Sequence, residues 1–80
     1  MRDSDILLRL TAIFADLTGR DDLTIDPATR LDDLPDWDSI KFIEAIAVTE
    51  EEFDISVPLT QIDTIYTVAD LIRVVRGQFA

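Results

Sequence analysis

The sequence predicts an all-α fold, a small bundle of three longer helices plus one short helix, with a long loop between helices 1 and 2. Three observations predict it. Apolar residues recur at three- and four-residue spacing in separate segments of the 80-residue chain, the periodicity of helices with one buried face. Helix start and stop residues bracket those segments: Ser4 and Gly19, Asp38 and Pro58, then Thr67. Apolar residues make up 48% of the chain and are interleaved with charge, which favours a compact fold over disorder. The length fits one domain, residues 1–80, near the size below which a single core supplies no more than roughly 3–5 kcal/mol.

Helix 1 is expected to start near Ser4 or Asp5, with Ile6, Leu7, Leu10, Ile13, Phe14 and Leu17 along one face and Gly19 as its stop. The connection from Arg20 to Trp37 is long for a compact domain. Leu23, Ile25, Leu31 and Leu34 punctuate it and are expected to pin it to the bundle. Helix 2 begins at Asp38 or Ser39 and turns Ile43, Ile46 and Phe53 to the core, with Phe42 near the boundary. Pro58 closes the turn after it. A short helix follows from Thr60 to about Ile65, with Asp63 in its first turn facing the positive end of the dipole. Thr67-Val68-Ala69-Asp70 repeats the start signal as a capping box with Asp in the usual Glu position, and Tyr66 and Leu71 have the spacing of a hydrophobic staple. The last helix buries Val68, Leu71, Ile72 and Val75 and extends the buried set to Phe79. No repeat or low-complexity tract interrupts this order.

Charge narrows the functions. Seventeen acids against seven bases give a net charge of −10, which disfavours nucleic-acid backbones and anionic membranes as partners and favours basic protein surfaces. The segment from Asp32 to Asp54 holds nine acids and one base, Lys41, and contributes −8 of that total. Such a cluster is ordinarily a solubilising face. Its position around a candidate modification site makes it a candidate docking surface. Cys and His are both missing, which removes thiol nucleophiles, Ser-His pairs and the usual zinc ligand sets. Calcium fits poorly as well: a loop starting at Asp32 puts Leu34 third, Trp37 sixth where Gly is required, and Ile43 twelfth where Glu is required. No metal site and no catalytic residue is therefore expected. No apolar run spans a membrane and the amino terminus lacks a secretory layout, so the expected location is cytoplasmic.

The candidate chemical centre is Ser39, within Pro35-Asp36-Trp37-Asp38-Ser39-Ile40. A lone Asp-Ser pair at a helix start is ordinarily just a cap. Here it follows Asp33-Leu34 and precedes Glu50-Glu51-Glu52-Phe53-Asp54 and Val57-Pro58. This ordered set resembles the acyl carrier protein family, whose Asp-Ser-Leu motif carries 4'-phosphopantetheine on the serine; Ile40 stands at the Leu position. The resemblance implies a free-standing carrier, a monomer without enzymatic activity. It would hold an acyl or aminoacyl group as a thioester on an arm attached to Ser39. The arm would supply the sulfur that the chain lacks. A phosphodiester there would sit at a helix N-terminus, which suits an anion.

The resemblance also implies partners: a phosphopantetheinyl transferase, and loading and condensing enzymes with basic docking patches. Asp38 would assist recognition by the transferase. Ile40, Glu44, Ala47, Glu50 and Glu51 would meet partners, with Lys41 as a discriminating charge on an otherwise acidic face. The ordinary alternatives are that Asp38 only caps, that the glutamates are only solvated and that Lys41 only pairs with Glu44. Three positions depart from the fatty-acid pattern. Pro35-Asp36-Trp37 makes the stretch before Asp-Ser one residue longer, and Trp37 looks more like carriers of specialised routes, including amino-acid and polyketide ones. Lys41 replaces a frequently acidic residue. Thr49 falls where an aliphatic side chain is usual, with a hydroxyl able to bond back to the Ala45 carbonyl. Fatty-acid, polyketide and other specialised pathways all stay open. So does an unmodified acidic helical adaptor that keeps the fold without the chemistry.

Overall fold

The computed structural model describes residues 2–79 and, among them, contains helices but no strand. Helix α1 spans Asp3–Thr18. A 3₁₀ turn at Leu31–Asp33 interrupts the long loop. Helix α2 spans Ser39–Phe53, the short α3 spans Leu59–Ile62 and α4 spans Val68–Gln78. The expected architecture of three longer helices and one short one is thus the observed one. α1 packs against both α2 and α4. Ile6, Leu10 and Phe14 of α1 are fully enclosed, as are Val68 and Val75 of α4.

Gly19 ends α1 because its φ of 70° is a left-handed conformation that glycine adopts without steric cost. Leu31 and Leu34 of the long loop are buried, and Leu23 and Ile25 pack partly covered against the core. The four expected anchors therefore hold the loop. A further tie was not legible. The carbonyls of Pro27 and Thr29 accept from the N–H groups of Ala69 and Val68, both at 2.9 Å, and Leu31 N–H donates to Tyr66 O at 3.0 Å. The loop thereby satisfies first-turn donors of α4 that have no acceptor within their own helix. The capping box completes this end: Thr67 Oγ1 accepts from Asp70 N–H, and the Asp70 carboxylate accepts from Tyr66 and Thr67 N–H.

Six expectations need correction. Ile43 is 66% exposed, and α2 instead buries Ala45, Ile46, Thr49 and Phe53. At 3.6 residues per turn, the direction shared by Phe42, Ala45, Ile46, Thr49 and Phe53 lies roughly 100° from Ile43. Thr49 Oγ1 does not bond back to Ala45; it is buried and has no hydrogen-bond partner among the described residues. The short helix starts one residue earlier than expected, after Pro58, and ends at Ile62. Asp63 consequently stands at its C-cap rather than in its first turn. Phe79 is 45% exposed, and Val74 is the buried residue that the pattern missed. Tyr66 is 64% exposed, so the Tyr66–Leu71 staple does not form a buried contact.

Candidate functional site

The approach to Ser39 is set by a tight turn. Pro35 presets its own φ, Asp36 adopts φ 55°, and Trp37 N–H donates to Leu34 O at 3.3 Å, the pattern of a turn that demands positive φ at its third residue. Aspartate tolerates that conformation better than most residues. The turn brings Trp37 back onto the bundle, where its ring meets Phe14 edge to face with centroids 5.7 Å apart. Asp38 then takes an extended conformation as the N-cap of α2, and its Oδ1 accepts from Lys41 N–H at 2.8 Å. Its backbone carbonyl accepts the first helical bond, from Phe42 N–H at 3.0 Å.

Ser39 is the first residue of α2 and is exposed. The N–H groups of Ser39 and Ile40 have no acceptor within the helix, so the hydroxyl lies beside free donors at the positive end of the dipole. It opens on a cleft of about 320 Å³, to which Trp37, Asp38 and Phe42 also contribute. An ester at this oxygen would project away from the packed body without disturbing the core. The site thus fits a phosphodiester-linked arm sterically and electrostatically, although the carboxylate of Asp38 is close.

The other candidate residues divide into two groups. Ile40, Glu44, Ala47 and Glu51 are all exposed on α2, and helical geometry puts them, with Ile43, within an arc of roughly 100°. Ile40 and Ile43 are each 66% exposed, and Leu59 of α3 is 82% exposed nearby. A second groove, of about 370 Å³ between α2 and α3, is lined by Ile43, Ala47 and Leu59 among others. Lys41 and Glu50 are already engaged inside the chain. Lys41 Nζ donates to Leu17 O at 3.0 Å, at the carbonyl end of α1, instead of pairing with Glu44. Glu50 Oε2 accepts from Val57 N–H at 2.8 Å and so fastens the segment that follows α2. Glu52 pairs with Arg9 at 3.6 Å, and that guanidinium lies 5.6 Å from the centre of the Phe53 ring. Sequence spacing had no means of exposing Ile43 and Leu59 together, because they lie on different helices.

The titration of Asp70 is clearly perturbed. The Tyr66 N–H holds it below the usual carboxylate range; partial burial opposes that, while the Thr67 N–H and Arg73 add to it. It belongs to the cap of α4, away from Ser39 in the chain, and its role is structural.

A helical bundle with an exposed serine leading its second long helix is the architecture of a carrier domain. Such a domain supplies an attachment point and a recognition surface and leaves catalysis to other proteins. The family model described as "phosphopantetheine attachment site" matches residues 8–75, and the chain belongs to that family. Its covalently bound group is 4'-phosphopantetheine, and its members are carriers rather than enzymes. Among solved structures, an acyl carrier protein of Thermotoga maritima superposes with a TM-score of 0.84 at 26% identity, covering 99% of this chain and 92% of that one. Among the described residues no helix is long and apolar enough to cross a membrane.

Proposed function

We propose that Ser39 is the attachment residue and that this domain presents an acyl or aminoacyl thioester to enzymes of a fatty-acid, polyketide or other specialised biosynthetic pathway. The observation that carries the reading is the placement of an exposed hydroxyl at the N-terminus of α2, beside unsatisfied N–H groups and opening on a cleft. When bound, the arm supplies a thiol, which the chain lacks. The protein's own part is to hold the ester linkage at a rigid helix end and to display the surface that partners read.

That surface is the exposed strip of α2. Ile40, Ile43 and Ala47 offer an apolar centre, and Glu44 and Glu51 offer a negative rim, which suits enzymes with basic patches around an apolar contact. Exposed charges of this kind govern encounter rate and discrimination more than they govern affinity. Asp38 sits next to the serine, where a phosphopantetheinyl transferase must approach. Lys41 and Glu50 act at the edge of this surface and also brace the fold through their internal hydrogen bonds.

Incubation with coenzyme A and a broad-specificity transferase, followed by intact mass, tests the assignment. The wild-type protein should gain one phosphopantetheine mass and Ser39→Ala should gain none. A wild type that stays unmodified with several transferases would establish an adaptor that keeps the fold without the chemistry.

A further inference from the structure

Between α1 and α4 lies a groove of about 450 Å³, larger than the cleft beside Ser39 and sharing no residue with it or with the groove between α2 and α3. Leu7 and the buried Ile72 form its apolar floor, and Pro27 and Ala69 its exposed sides. It stands open because Ser4 and Ala69 have side chains too short to fill it. Arg73 and Arg76 also line it, against one acid, Asp3, among the described residues. α4 carries these two bases against Asp70, whereas α1 has three acids against one base and α2 four acids against one base. The groove is thus a small positive site on a chain of net charge −10.

We propose that this groove is a second docking surface, which takes an acidic segment of a partner protein, with apolar side chains against Leu7 and Ile72 and carboxylates on Arg73 and Arg76. Charge complementarity selects the occupant. A guanidinium carries five N–H donors. Asp3 takes one from Arg76 at 2.7 Å, and Asp70 and Thr64 each take one from Arg73, so both arginines keep donors for a further carboxylate. A second copy of the chain also offers acids beside apolar residues, on α2, but two chains of net charge −10 repel each other. A contact between unlike faces of two copies, moreover, does not close into a dimer.

The groove is formed before anything binds. Pro27 O accepts from Ala69 N–H at 2.9 Å, which fixes the loop side to α4, and the Arg76–Asp3 pair spans from α4 to α1. Little ordering is then needed on the side of this chain. Position gives the surface its use. Lys41, two residues after Ser39, reaches Leu17 at the carbonyl end of α1, whereas Ser4 and Leu7 lie roughly 15–20 Å back along that helix. A partner held here leaves Ser39 and the exposed strip of α2 free for a second protein. It keeps the carrier close while enzymes meet the α2 face, at an effective concentration of about millimolar for a short flexible connection. The docking surface does not depend on which residue carries the arm.

Two synthetic helical peptides test it, identical in their leucines and differing only in glutamate or lysine at the flanking positions. Each is titrated into isotope-labelled protein, and amide shifts are followed in about 0.1 M salt, where charges beyond roughly 10 Å are screened. The glutamate peptide should shift Leu7, Ala69 and Arg76 and leave Ile40, Ile43 and Ala47 in place, although the net charge of the chain alone favours the lysine peptide. Arg73→Gln together with Arg76→Gln should weaken that binding about three- to tenfold, the result of losing two exposed ion pairs. Ala69→Glu should abolish it by filling the groove with a carboxylate. Its melting temperature should stay near that of wild type, because position 69 is exposed and an acid in the first turn of α4 suits the dipole. Equal shifts at the groove with both peptides, no shift there up to about millimolar peptide, or unchanged binding to Ala69→Glu overturns the proposal. Groove signals that move with the concentration of the protein itself overturn it too, since the occupant is then a second copy.

Discussion

Thr49→Val should make the protein more stable, and by an amount the structure allows to be worked out. Thr49 lies on the core face of α2 with none of its surface exposed, and its hydroxyl has no hydrogen-bond partner among the described residues. Leaving a buried polar group unsatisfied costs about 1–3 kcal/mol. Valine replaces that hydroxyl with a methyl group of nearly the same shape, and Thr and Val have similar helix propensities. Both are β-branched, so the rotamer cost is alike. A gain of about 1–2 kcal/mol is expected. For a domain of this size each kcal/mol corresponds to about 4–8 °C in melting temperature. Urea unfolding of the apo protein followed by far-ultraviolet circular dichroism measures it. The midpoint should rise while the slope stays constant, the mark of a change in stability rather than in exposed surface. Thr49→Ser is the matched control: it keeps the hydroxyl, deletes a buried methyl and should lose about 1 kcal/mol. If Thr49→Val is no more stable than wild type, the hydroxyl has a partner in solution, such as the Ala45 carbonyl or an enclosed water, and the reasoning fails.

Two further outcomes concern the caps. The folded carboxyl of Asp70 lies below its unfolded value, chiefly through the Tyr66 N–H, so its ionised form stabilises the fold. That contribution is complete above the unfolded carboxylate range, near roughly pH 4, and is lost as pH falls through the folded value. Asp70→Asn should therefore lower stability at pH 7, and its deficit against wild type should narrow in acid melts; a deficit independent of pH would refute the assignment. Lys41→Ala removes a cation from the carbonyl end of α1 and should cost about 0.3–1 kcal/mol, with Lys41→Glu costing more. Melting temperatures equal to wild type in low salt would show that the Leu17 contact contributes nothing.

The helices of this protein are largely local facts. Spacing of Ile6, Leu10, Ile13 and Phe14 marked α1, Gly19 marked its end, and Thr67 with Asp70 announced α4, because periodicity and capping act within a turn or two of chain. The region proposed for attachment stood out in the sequence for a similar reason: Asp38 and Ser39 are a start signal, and the residues ordered around them resemble one family. The failures have causes too. Ile43 and Ile46 are both apolar and both helical, and which of them is covered depends on the rotation of α2 against α1, a property of two helices and not of one. Phe79 failed for a different reason: it follows α4 as its C-cap, beyond the last helical residue, so the helical pattern does not govern its direction.

The sequence by itself determined the helix inventory, the negative charge around Ser39 and the lack of any thiol in the chain, since these follow from residue identity and short-range order. Only the tertiary structure decided that the long loop caps α4 through the carbonyls of Pro27 and Thr29 and that Lys41 reaches across to Leu17. It also decided that the Thr49 hydroxyl is enclosed without a partner among the described residues, and that residues as far apart as Leu31, Trp37 and Tyr66 share one cleft with Ser39. The physical reason is that hydrogen bonding and burial are completed between segments distant in the chain, where the pattern along any single helix contains no record of what will face it.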